Sequence, residues 1–226
     1  MKSRFKKYER PSTLNGRGVI LMGYDVDLDR SELLLDVPTF TQERFDELFE
    51  VKSGSWSVKD GWAEGKNPEM CPGMIISRAD HFGNVMVEIV AKLVEPCTHD
   101  IDLMVNGSWD EEKNQRGCAY VAGLEGFYHG CVGIEKSPDY GLNAITILFP
   151  FEPEREYKVA LGNIDGHVFV LVDDRVCLEV TDPEPLDTQK YGKIGFEAFA
   201  SWWRFKDLKV YQLAYTPVNE YYLKEF

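Results

Sequence analysis

The sequence predicts an all-β protein built from two antiparallel sheets packed face to face. Three observations predict it. Most of the 226 residues alternate with a period of two, the breaks fall at Gly, Pro and Asp, and helical periodicity is scarce. Many short strands with almost no helix imply a sandwich or a closed barrel, and a chain of this length favours the large sandwich.

The strand pattern is clear from residue 85 onward. VMVEIVAKLV (85–94) sets Val85, Val87, Ile89, Ala91 and Leu93 against Met86, Glu88, Val90, Lys92 and Val94. HDIDLMVN (99–106) sets Ile101, Leu103 and Val105 against Asp100, Asp102, Met104 and Asn106. AITILFPF (144–151), YKVALGNIDGHVFVLVDDRVCLEV (157–180), KIGFEAF (193–199) and FKDLKVYQL (205–213) continue the alternation. Asp165-Gly166 predicts a tight hairpin, because both central positions of such a turn want positive φ. Asp173-Asp174 predicts a second reversal. HVFVLV is apolar on both sides, as a strand covered on both faces would be. TQERFDELF (41–49) is the best helix, with Phe45, Leu48 and Phe49 on one side and Thr39 expected as its cap. One domain is expected over 1–226, with an N-terminal extension over about 1–50, where regular alternation has not yet begun, and a C-terminal tail over 214–226.

Composition narrows the function. A net charge of -13 argues against nucleic acid and against anionic membrane surfaces, since both would be repelled. No run of about 18 apolar residues is present. MKSRFKKYERPSTLNGRG has no apolar core of a secretory signal, so a cytoplasmic location is expected. The five cysteines are scattered and odd in number, which fits reduced thiols better than a disulfide framework or a zinc ribbon.

Three stretches carry a family resemblance. They are WSVKDGWAEG (56–65), YKVALGNIDGHVFVLVDD (157–174), and YGKIGFEAF (191–199) followed by FKDLKVY (205–211). In this order they resemble the concanavalin A-like jelly rolls from Trp56 to Leu213, and within them bacterial sugar-associated domains such as the 3-keto-disaccharide hydrolase-like group. The resemblance implies a curved jelly-roll sandwich with a sugar-sized groove, and a bacterial-type protein. It carries over no catalytic residue. The E-x-D-x-E strand of β-glucanases and the H-x-N-P-R pattern of galectins are both absent from this chain.

The candidate site residues follow from facing. If 85–94 pairs with 99–106 through the turn EPCTH, matched core sides put Glu88 and Lys92 on the face of Asp100, Asp102 and Asn106. Several carboxylates then share one sheet face. Glycosidic cleavage needs two carboxyls roughly 5–10 Å apart, one of them poorly solvated. In GFEAF, Ile194, Phe196 and Ala198 face the core, and Glu197 points the other way as the first choice of acid or base. Asp100, Asp102 and Glu197 are therefore the catalytic candidates. An ordinary solvated face with decorative ion pairs explains the same pattern.

Stacking of a sugar ring calls for flat aromatic side chains. Trp62, Trp109, Tyr120, Tyr128, Trp202 and Trp203 are available. The two adjacent Trp of ASWWRF cannot both face the core, so one is expected at the rim. GLEGFYHG (123–130) offers His129 as a proton shuttle or, equally, a plain connecting loop. No metal spacing is present among the histidines. DVDLDRSELLLD (25–36) matches a calcium loop only in part, since Arg30 replaces the turn glycine and Asp36 the final Glu, which leaves structural calcium open and no other cofactor expected. Three readings remain: an oligosaccharide-cleaving enzyme, a lectin-like module using the same groove, and a structural or protein-binding sandwich. Sugar identity, linkage and oligomeric state are not specified by these residues.

Overall fold

The computed structural model describes residues 12, 14–126 and 129–218. Residues 1–11 and 13, Phe127, Tyr128, and residues 219–226 of the tail expected at 214–226 lie outside the described residues. Among the described residues, sixteen strands and one helix follow in order. They are β1 (Gly18–Ile20), β2 (Tyr24–Val37), α1 (Gln42–Leu48), β3 (Phe49–Val51), β4 (Ser55–Lys59), β5 (Trp62–Ser77), β6 (Val85–Leu93), β7 (Ile101–Gly107), β8 (Trp109–Asp110), β9 (Gln115–Arg116), β10 (Ala119–Leu124), β11 (Cys131–Ser137), β12 (Asn143–Ile147), β13 (Tyr157–Ile164), β14 (His167–Val172), β15 (Arg175–Thr181) and β16 (Lys193–Pro217).

Every pairing is antiparallel, and the main hydrogen-bonded path runs β12-β11-β10-β7-β16-β6-β13-β14-β15. β16 is the hinge of this path. Its first residues pair with β7 and β5, and its later ones with β6 and β2. Register breaks near Ala200 and between Lys206 and Lys209, where Ala200 and Asp207 hold φ of 49° and 51°. A bulge bends a strand and strengthens its twist, so one long strand serves both layers. Between the layers lies one apolar cluster that includes Val87, Ile89, Leu103, Val105, Phe196, Trp203 and Phe205.

The turn chemistry follows expectation. Asp165 and Gly166 have φ of 49° and 89° between β13 and β14, and Asp173 and Asp174 have 49° and 63° before β15. β14 is covered on both faces: Val168, Val170 and Val172 enter the central cluster, while Phe169 and Leu171 enter a second one. That second cluster is closed by Val19, Leu21, Val26 and Leu28 of the β1–β2 region. The segment expected to be a wrapping extension thus adds strands of its own.

Two local expectations are corrected. The helix cap is Thr41, whose side chain accepts the Arg44 N–H, and Thr39 has no such role. β6 does not pair with β7, because β16 lies between them in the hydrogen-bonded order. The short EPCTH connection instead carries the chain from one layer to the other.

Candidate functional site

A pocket of about 220 Å³ opens on the outward face of the layer containing β7, β10 and β11. Alternation puts it there. Ile101, Leu103 and Val105 point into the core, so Asp102 and Met104 point out. On β16, Ile194, Phe196 and Ala198 point in and Glu197 points out, as the sequence predicts. Register then sets Glu197 directly opposite Asp102, and Gly123 opposite Asp102 on its other side. Gly133 is next across. Gly123, which has no side chain, leaves open floor beside the carboxyls.

Asp100, Asp102, Glu197 and Glu135 all line this pocket, with Arg116 and Tyr140. Asp100, Asp102 and Glu197 are buried, at 4%, 7% and 6% exposure. Arg116 comes from the two-stranded ribbon β8–β9. Its guanidinium donates to Glu197 at 2.8 Å, to Glu135 at 2.5 Å and to the Ser137 hydroxyl at 2.6 Å. Burial pushes the Asp100 carboxyl up to about 7, with the hydrogen bond from Asp102 opposing and the charges of Glu197 and Glu135 adding to it. Burial also drives Asp102 well above the carboxylate range, helped by the charges of Asp100 and Glu197. Glu197 is raised by burial, and Arg116 pulls it back. Like charges gathered in one buried site disfavour joint ionisation, so the protons of Asp100 and Asp102 come off as those of an interacting pair.

Some sequence candidates are not brought here. Glu88 sits on the other layer, 3.1 Å from the Lys158 ammonium. Lys92 lies 2.6 Å from Glu154 and over the Trp62 ring. Asn106 turns out of the acidic face at φ 46° and is fully buried, donating to the Gly83 carbonyl and accepting from Asn163. Tyr120 is a core residue whose hydroxyl donates to Asp182. His129 is exposed and lies 3.2 Å from the buried Glu125, away from the pocket lining.

The aromatic pair divides as expected. Trp203 is in the core, its Nε1 donating to the Glu197 carbonyl, while Trp202 is half-buried with the Lys66 ammonium 3.9 Å above its ring. Trp109 packs on the outward cluster of Met74, Ile76, Met104, Ala119 and Val121, beside the carboxyl pocket. The calcium-like stretch 25–36 is strand β2, with Asp27 accepting from Asp29 and Arg30 N–H groups. Among the described residues, no three His, Cys, Asp or Glu side chains gather to hold a metal.

Arg116, Glu135 and Tyr140 are polar residues of the pocket that sequence reasoning missed. Arg116 sits in NQRG, a loop without periodicity. Glu135 had a signal, since it alternates with Val132 and Ile134 of CVGIEKS.

The architecture is that of the concanavalin A-like jelly-roll sandwiches. A protein of unknown function with a galectin-like fold from Bacillus subtilis superposes with a TM-score of 0.64 at 16% identity, over 81% of this chain and 99% of its own. The carbohydrate-binding module CBM66 from Bacillus subtilis matches with a TM-score of 0.58 at 15% identity, over 73% of this chain and 95% of its own. A Bacillus licheniformis β-glucanase matches with a TM-score of 0.55 at 12% identity, over 79% and 97%. No family model matches the sequence, and no curated protein matches it.

Proposed function

We propose that the pocket binds a saccharide and cleaves its glycosidic bond by acid catalysis. The observation that supports this best is the burial of Asp100, Asp102 and Glu197 at one solvent-open pocket with a single guanidinium. Three carboxyls withdrawn from water cost stability, and apolar side chains would fill the same positions at less cost. Such an arrangement suits groups that must hold a proton near neutral pH. The jelly-roll neighbours include a carbohydrate-binding module and a β-glucanase, which supports a sugar as the ligand.

In this reading Asp102 carries the proton of the Asp100–Asp102 pair and gives it to the leaving oxygen as the glycosidic C–O bond breaks. Arg116 favours the ionised form of Glu197, whose carboxylate bonds to the anomeric carbon. Water then breaks that bond, with Asp102 taking its proton. Directly opposed residues on antiparallel strands have Cα atoms about 4.5–5.5 Å apart, so the Asp102 and Glu197 carboxyls enter the pocket side by side, and retaining cleavage is the outcome that closely spaced carboxyls favour. The pocket, at about 220 Å³, is smaller than the roughly 300 Å³ at which ligand pockets usually begin. It therefore takes one sugar ring, not a long stretch of chain.

The test is a glycan screen followed by turnover assays on each hit. Glu197→Gln and Asp102→Asn are expected to keep binding and to lose turnover by about 100-fold or more. Binding retained in Glu197→Gln with no turnover by the parent would return the pocket to the lectin-like reading.

A further inference from the structure

A second cleft, of about 490 Å³, lies further along the same strands. β16 contributes Glu197 to the first pocket and Lys193 to this one, and β5 contributes Pro72 to the first and Ile76 and Ser77 to this one. Four residues of strand separate Glu197 from Lys193, about 13 Å. The ribbon β8–β9 joins the two clefts, because Trp109 and Arg116 are paired across it. Trp109 lines the second cleft and Arg116 the first.

The second cleft has the opposite charge character. Its walls carry Lys52, Arg78, Lys190 and Lys193 against Glu50, Asp80 and Glu111. Cations outnumber carboxylates here, although the whole chain has 38 Asp and Glu against 25 Lys and Arg. Lys52 is engaged by Glu50 and Glu111, and Lys193 by Asp80. Arg78 spends one N–H on the Asp46 carbonyl, Lys190 lies over the Tyr191 ring, and among the described residues neither makes a direct ion pair, Glu50 and Asp187 acting on them only through their charge. The chain thus leaves two cations without a direct carboxylate contact beside the Trp109 wall. A net surplus of cations at this one cleft attracts anions locally, against the repulsion of the chain as a whole.

We infer that this cleft takes the carboxylate or sulfate of an acidic oligosaccharide, about two or three rings along from the ring that occupies the carboxyl-lined pocket. The inference rests on the saccharide reading of that pocket. Arg78 presents a planar fork that matches a carboxylate or sulfate, and Lys190 adds a mobile point charge. The carboxyl-lined pocket repels such a group, so the two clefts together fix the direction in which an acidic oligosaccharide lies.

The experiment is calorimetric titration with a neutral oligosaccharide and with its uronate-bearing counterpart. It is run at low and high salt, on the parent chain and on Arg78→Gln/Lys190→Gln. The Trp109 contribution to tryptophan fluorescence, read as the difference between the parent chain and Trp109→Phe, is followed with D-glucuronate and D-glucose alone. The acidic oligosaccharide is expected to bind about tenfold more tightly than the neutral one, an advantage that the double variant and high salt both erase. The neutral sugar is expected to bind both proteins alike. Equal binding of the two sugars overturns the inference and leaves the carboxyl-lined pocket as a saccharide site. A Trp109 response to D-glucuronate, with no oligosaccharide bound, supports the anion cleft and overturns the reading of the pocket. No response to any probe overturns both.

Discussion

The two outward faces of the sandwich are made from similar strands and finished in opposite ways. On the β13–β14 side the outward positions under the β1–β2 region are apolar, Met86, Ala160, Phe169, Leu171 and Tyr211, and the charged pair Glu88–Lys158 lies beside them. The β1–β2 region closes over them, and its turn reaches β15, where the Met22 N–H meets the Glu179 carboxylate. On the β7–β10 side, the apolar cluster at Met74, Met104 and Val121 gives way to buried carboxyls. One face is organised for burial. The other holds groups whose burial opposes folding, and such groups mark a functional site more often than a structural one.

The largest expected effect tests the covered face. Phe169 stands opposite Gly162, and a Cβ on Gly162 would lie 2.2 Å from the Phe169 ring. The aromatic ring fills the space that the glycine leaves. Phe169→Ala is expected to cost about 3–5 kcal/mol in urea unfolding, since it opens a cavity under the β1–β2 cover. Ligand binding by the folded fraction is expected to stay unchanged. A loss below about 1 kcal/mol would mean that this face is not packed as described.

The open face predicts a pH dependence of the opposite kind from an ordinary acidic protein. The Asp100 carboxyl rises from 3.8 when unfolded to about 7 when folded. The folded state therefore binds more protons than the unfolded state between these values. The associated stability is fully present below the unfolded value and is lost as pH rises through the folded one. A shift of this size is worth at most about 4 kcal/mol, and water at the pocket mouth brings the expected loss to roughly 2 kcal/mol. Asp100→Asn/Asp102→Asn is expected to flatten the profile measured by urea unfolding across this range. A parent protein whose stability rises from pH 4 to pH 7, with the double variant unchanged, would show that the carboxyls are solvated.

The difference between the faces was partly legible in the sequence. The double-sided apolar run HVFVLV announced the covered strand, and the alternation in HDIDLMVN and GFEAF announced Asp102 and Glu197 as outward acids. Strand facing depends only on a local period of two. Which strands stand side by side does not. Adjacent segments 85–94 and 99–106 looked like a hairpin, yet the distant β16 pairs with both. That error moved Glu88 and Lys92 to the wrong layer. Asn106 escaped for a local reason: its positive φ ends the alternation one residue early, and an amide network takes its side chain. Arg116 depends on a ribbon of two-residue strands, too short to leave a periodic signal.

The smallest expected effect concerns those misplaced charges. Lys158 joins Glu88 at 3.1 Å and Asp174 at 2.7 Å, with its own side chain one-third exposed and that of Asp174 three-quarters exposed. The pairing resembles that of Arg116 with Glu135 and Glu197, but water reaches Lys158 and Asp174, and Glu88, itself buried at 6% exposure, also has the charge of Lys209 acting on it. Screening and the entropy of holding long side chains together leave such a network with little net worth. Lys158→Gln is expected to cost less than about 1 kcal/mol in urea unfolding and to leave saccharide titrations unaltered. A cost near that of Phe169→Ala, or a change in sugar binding, would show that charge on this layer matters as much as charge around Arg116. The contrast between the two faces would then fail, because position at a buried pocket would no longer separate the working carboxyls from the decorative ones.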